Sequence, residues 1–247
     1  MSRPTNSGET PQDEARRHFL VRALSLGLLA GGGGWNRAAL AELLGQRAEK
    51  LPEGKSVFDL RGEVRINGQP ANHQTVIRAS DKIEVGKDGH LIAAVGDSAF
   101  IVRENSKVEL SGVALVIRAF RATGALLGVI APRPPQERVK VHTVTATIGI
   151  RGTGFYVDSD PEKTYFCTCY GTTEISARAD PKASEQVTTQ HHEAARYILA
   201  TPDKGRRIVP APFINHTDQE LMTIEALVGR EVPFAAGGYE RPRREDY

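Results

Sequence analysis

The chain is predicted to be all-β: a stack of short antiparallel strands and turns, of sandwich or β-helical type, with one C-terminal amphipathic helix. Three observations predict it. Between Lys82 and Val102, short apolar runs alternate with Gly-Lys-Asp-Gly and Gly-Asp turns at close spacing. The composition, 24 glycines and 14 prolines in 247 residues with only 6% aromatics, suits strands and turns better than helices. From Thr143 to Tyr170, two arms rich in β-branched and aromatic residues flank Asp158-Ser159-Asp160-Pro161-Glu162, the pattern of a β-hairpin with a loop of a few residues.

Residues 1–41 read as an export signal rather than as part of the fold. A polar leader precedes Arg16-Arg17-His18-Phe19-Leu20, then an apolar run from Val21 to Ala30 interrupted by Arg22, a glycine-rich stretch, and Ala39-Leu40-Ala41 in the small-x-small form of a cleavage site. This resembles a twin-arginine signal, although Ala15 precedes the pair where Ser or Thr is usual. The apolar run is shorter than the ~20 residues that span a bilayer. Periplasmic localisation is therefore expected, with membrane contact only in transit through the signal.

Residues 42–55 read as a linker. Ser56 to Ile66 mixes apolar and polar residues in near alternation up to the Asn67-Gly68 turn signal. A short strand is expected over Gln74–Ala79, followed by Lys82–Val85, His90–Val95 and Ser98–Val102. Val108–Leu110, Val113–Phe120 and Leu126–Ile130 continue the series, and Pro132-Arg133-Pro134-Pro135 interrupts it. After the central hairpin, Thr172–Ser176 is expected to fold back on the Phe166 arm across Tyr170-Gly171. Two further strands, Glu185–Thr189 and Ala194–Ala200, flank His191-His192. The β domain is thus placed at 56–200, with a C-terminal extension at 201–235. Leu221, Ile224, Leu227 and Val228 at helical spacing, behind Thr217 or Asp218 as cap, predict a helix near 217–228. Residues 236–247 form a charged tail expected to be disordered.

Within the central stretch, Ile148-Gly149-Ile150-Arg151-Gly152-Thr153-Gly154-Phe155-Tyr156-Val157 resembles the RGT signature of the FecR-type periplasmic domain family. Ser80 to Ala99 is similar to that family's repeated "GD-x-I-x-T-G … L-x-D-G-S" element, with Ser80 in place of its first glycine. The likeness covers roughly residues 56–176. It implies a β scaffold that acts by binding or sensing, with a periplasmic or envelope protein as partner. Arg151, Gly152, Thr153 and Phe155 are its structural signature. Arg151 at a glycine kink is expected to be a structural hydrogen-bonding clamp that needs partners if it is buried, with anion binding as the alternative role. Family members that relay a signal across the membrane carry a cytoplasmic region, and the segment before this signal is too short to fold as one.

Lys+Arg total 32 against Asp+Glu 30, a net charge of +2, so no concentrated basic face points to nucleic acid. G-x-S-x-G, P-loop and H-E-x-x-H motifs are absent from the sequence, and no enzymatic activity is expected. The chemistry-bearing residues are Cys167 and Cys169, the only cysteines, together with His191, His192 and His216. On a strand, residues i and i+2 face the same way, so both thiols share a face. They could hold a transition metal or serve a haem site. They could equally form a strained disulfide, or lie buried as small apolar groups. Strand alternation allows only one of His191 and His192 to join them, unless a bend turns both.

Overall fold

The computed structural model describes residues 49–234; the expected export signal over 1–41 and the expected disordered tail over 236–247 lie outside them. Fifteen strands form one continuous hydrogen-bonded sheet that folds over on itself into two layers. The strands are β1 (Val57–Arg61), β2 (Val64–Ile66), β3 (Gln69–Pro70), β4 (Lys82–Val85), β5 (His90–Val95), β6 (Ser98–Val102), β7 (Ser106–Val113) and β8 (Val116–Ile130). They continue with β9 (Val139–His142), β10 (Ala146–Ile150), β11 (Gly154–Ser159), β12 (Lys163–Ala177), β13 (Asp180–Thr189), β14 (Arg196–Asp203) and β15 (Arg206–Pro210). One helix, α1 (Asp218–Leu227), follows. The fold is all-β with a single C-terminal helix.

One layer runs β1-β5-β6-β8-β11-β12-β14-β15, and the other runs β3-β2-β4-β7-β8-β9-β10-β12-β13. All pairings are antiparallel except β8 with β9. The two long strands belong to both layers. The first half of β8 pairs with β7 and β9, and the half from Gly124 onward pairs with β6 and β11. Similarly, β12 pairs with β11 and β14 before Gly171, and with β10 and β13 from Gly171 onward. Each bend is made by a glycine at positive φ, +76° at Gly124 and +85° at Gly171. Both are tight: a Cβ on Gly124 would lie 2.4 Å from Ser106 Oγ, and one on Gly171 would lie 2.7 Å from Gly152 O.

The third bend is the RGT corner. The expected first arm of the central hairpin is two strands, β10 and β11, in different layers, broken at residues 151–153. Gly152 has φ +79°, and a Cβ there would come within 2.3 Å of Pro132 Cα. Thr153 is fully buried and its carbonyl accepts from Ile130 N at 3.0 Å. Arg151, in contrast, is half-buried, and its backbone N–H bonds Thr172 O at 3.3 Å. The corner is closed by backbone and glycine packing.

Three strand expectations are corrected. Thr172–Ser176 does not fold back across Tyr170-Gly171; it continues β12 through the Gly171 bend and pairs with β10 and β13. Gln74–Ala79 is not a strand, since Ile77 spends its backbone groups on the Ser56 hydroxyl (N–H to Oγ 2.9 Å, Oγ–H to O 3.3 Å). Val113–Phe120 is split by a turn in which Ala114 takes φ +52°. Beyond residue 200, β14 runs on to Asp203 and pairs with β15.

Between the layers lies one apolar core, in which Phe100, Phe120, Phe155 and Phe166 pack in series at centroid spacings of 6.0–6.1 Å. A second core covers the outer face of the first layer. There Ile92, Ile101, Leu127, Val129, Tyr156, Cys167 and Cys169 meet Leu221, Ile224 and Leu227 of α1. The helix starts at a full capping box: Thr217 Oγ1 accepts from Glu220 N, and Glu220 accepts from Thr217 N. Among the described residues no helix is long and apolar enough to cross a membrane.

Candidate metal centre

Alternation along β12 places Phe166 in the inner core and Cys167 and Cys169 in the outer one, both fully buried and both free thiols. Over them fold two other segments. The 190–192 turn after β13 brings in His192, whose N–H donates to Cys169 O at 2.9 Å and whose φ of +56° turns its ring inward. A non-glycine residue at positive φ is uncommon, with histidine among the better tolerated. The residue before the Thr217 cap, His216, comes in from the start of α1 and stacks on Tyr156 (centroids 4.6 Å, 14° between planes). One ligand atom from each of Cys167, Cys169, His192 and His216 falls within 4.8 Å of all the others, and all four residues are buried.

Three of the cluster's six edges have the lengths of a coordination shell. Cys167 Sγ lies 3.6 Å from His192 Nδ1, Cys169 Sγ lies 3.4 Å from His216 Nε2, and the two imidazole nitrogens are 3.2 Å apart. Metal–sulfur bonds of about 2.3 Å and metal–nitrogen bonds of about 2.0–2.1 Å, set tetrahedrally, give S···N edges of about 3.5 Å and N···N edges of about 3.3 Å. Each sulfur faces a nitrogen at that edge length, which suits one ion better than a two-iron cluster that divides cysteines and histidines between its irons.

Second-sphere groups fix both rings. His216 Nδ1–H donates to Ile214 O at 2.7 Å, and His192 Nε2–H donates to Asp218 Oδ1 at 3.0 Å. With those nitrogens protonated, the neutral rings turn their free nitrogens, His216 Nε2 and His192 Nδ1, toward a common point, the form in which imidazoles ligate a cation. His191 stays outside the four: its Nε2 lies 2.8 Å from the same Asp218 oxygen, and its ring packs on Phe234.

Electrostatics follow this geometry. A hydrogen bond from Cys169, aided by His192 and His216 against the cost of burial, holds the Cys167 thiol well below its usual range; burial pushes Cys169 well up. Burial disfavours the His192 cation, but Asp218 and Cys167 outweigh it and raise its pKa. Asp218 is lowered, as the two histidines overcome its own desolvation. Cys167, His192 and Asp218 also form the chain of contacts seen in cysteine nucleophile sites. Here Cys167 is fully buried and shares its cluster with Cys169 and His216.

The sequence singled out Cys167, Cys169, His191, His192 and His216, and the fold gathers four of them, leaving His191 beside Asp218. It missed Asp218, which reads as a helix cap, and the ring wall of Tyr156 and Phe213. An acidic residue two places after His216 was the available signal.

The molecule defined this way is a two-layered all-β protein with a buried Cys2His2 cluster beneath a C-terminal helix. No protein-family model and no curated protein matches the chain. Two crystal structures of a protein described as a "putative anti-sigma factor" from Parabacteroides distasonis ATCC 8503 are similar in part, at 14% and 13% identity and a TM-score of 0.43 each. The match covers 53% of this chain and 58% of theirs, so the chain spans little over half the length of those proteins.

Proposed function

We propose that this chain is a metal-binding β module that acts by binding or sensing and not by catalysis. The observation that carries the reading is the facing pair of nitrogens, His192 Nδ1 and His216 Nε2, 3.2 Å apart with each ring's other nitrogen already committed to an acceptor. Two thiols complete an S2N2 set, the donor combination that suits Zn(II) foremost and other borderline or soft ions such as Fe(II) and Cu(I). Four protein ligands leave no open position for substrate, as in structural and sensing sites.

Metal analysis of protein purified from an exporting host, before and after titration with Zn(II), Fe(II) and Cu(I), tests this. One ion per chain is expected, abolished in Cys167→Ser and Cys169→Ser. A reduced protein that takes up none of the three would end the reading.

The same proposal places the module in the periplasm, with another envelope protein as its partner. Its support is the sequence: the Arg16-Arg17 signal pattern and the resemblance of the 148–157 segment to the FecR-type signature. A reporter active only when exported folded, fused to residues 1–41, should depend on the arginine pair. Unchanged export with Arg16→Lys and Arg17→Lys together would refute the twin-arginine route.

A further inference from the structure

The metal-centre reading has a mechanical consequence, and the inference rests on that reading. We infer that occupancy of the Cys2His2 site controls whether α1 stays docked on the β body, so that the C-terminal helix is a metal-dependent latch. Two ligands, Cys167 and Cys169, belong to β12, and a third, His192, is bonded to that strand through its backbone. The fourth, His216, stands immediately before the Thr217 cap, and Asp218, which orients His192, is the first residue of the helix. The ion therefore joins the N-terminal end of α1 to the sheet at the point where the capping box sets the direction of the helix.

The remaining attachment is of a kind that one lost anchor can undo. The helix has ten residues, a length that is marginal on its own in water. Only Leu221, Ile224 and Leu227 supply fully buried apolar contacts from it. Its buried face also carries Glu220 and Glu225, 4% and 3% exposed, which must be desolvated to dock. Arg103 reaches Glu220 at 2.9 Å, the Tyr170 hydroxyl of β12 donates to Glu225, and Arg230 joins Glu225 (2.7 Å) to Asp97 O (2.7 Å), yet Arg103 Nε and Arg230 Nη2 are buried with no hydrogen-bond partner. The N-terminal side is coupled to the latch, since Leu51 N donates to Leu227 O at 3.0 Å. Release would uncover Ile92, Ile101, Leu127 and Val129 of the first layer.

Hydrogen exchange followed by mass spectrometry on the full chain reads this directly, with metal content measured on the same samples. Zn(II)-loaded protein should protect the amides of 219–228, and the chelated protein should exchange them at least about tenfold faster while β5 and β6 remain protected. Re-addition of Zn(II) should restore protection, and His216→Ala should behave as the chelated protein at any Zn(II) concentration. Demonstrated metal binding with α1 equally protected in both states would overturn the latch and leave the metal centre standing. Loss of protection spread evenly over α1, β5 and β6 would overturn it too, since the ion would then hold the whole fold. Absence of Zn(II) uptake would remove the centre itself, and the latch with it.

Discussion

Cys167 and Cys169 lie side by side, but the two histidines next to each other in sequence do different work. His192 Nδ1 faces the sulfurs, whereas His191 faces Asp218 and Phe234. His192→Ala should therefore lose stoichiometric metal, and His191→Ala should weaken it only modestly through the shared Asp218; equal loss in both variants would break this assignment. Binding should release protons and weaken as pH falls, because thiolates and neutral imidazoles are the ligating forms. A different acid response belongs to Asp59. Burial acts to raise its pKa, but the hydrogen bond and charge of His90, 2.8 Å away, bring it below the usual carboxylate value. Its folded pKa being the lower one, it adds stability above its unfolded pKa, and that stability is lost as pH falls through the folded value. Urea melts of Asp59→Asn should show a shallower loss of stability on acidification than wild type. At the RGT corner, the half-buried Arg151 predicts that Arg151→Ala costs under about 1 kcal/mol. Phe155→Ala, which empties a fully buried ring stacked on Phe166, should cost about 3–5 kcal/mol in the same assay.

At the scale of elements, turns decided what could be read in advance. Lys82–Val85, His90–Val95 and Ser98–Val102 stand where the Gly and Asp signals bracket them, because local φ requirements fix such ends. The long strands were not legible, since a glycine inside an apolar run can mark a bend as well as an end. Gly171 bends β12 into the other layer, and the chain does not turn back there. That choice depends on the Gly152 carbonyl and the Thr153 side chain packed against it. In the candidate metal centre, the shared face of the cysteines followed from strand alternation alone. The selection of His192 over His191 and the role of Asp218 needed the helix start to arrive over β12, which is a tertiary event. The start of α1 itself was readable from Thr217 and Glu220, the capping-box pair. Thr217→Ala should cost about 1 kcal/mol in a denaturant melt, and under the latch it should also raise exchange in α1 of the loaded protein.

For the whole molecule, the two cores divide the labour. The inner core is closed by sheet on sheet and needs neither the helix nor the thiols, so chelation should leave far-UV β signal in place while lowering the thermal midpoint. A chelated protein with an unchanged midpoint would show that the ion contributes nothing to stability.

The bends at Gly124 and Gly171 carry one more consequence. Since β8 and β12 each supply hydrogen bonds to both layers, neither layer can lose its strands without tearing the other. The β body should then denature as a single cooperative unit, its aromatic and backbone signals changing together. A chain severed between β8 and β9 should yield fragments that stay unfolded apart and regain structure only when mixed.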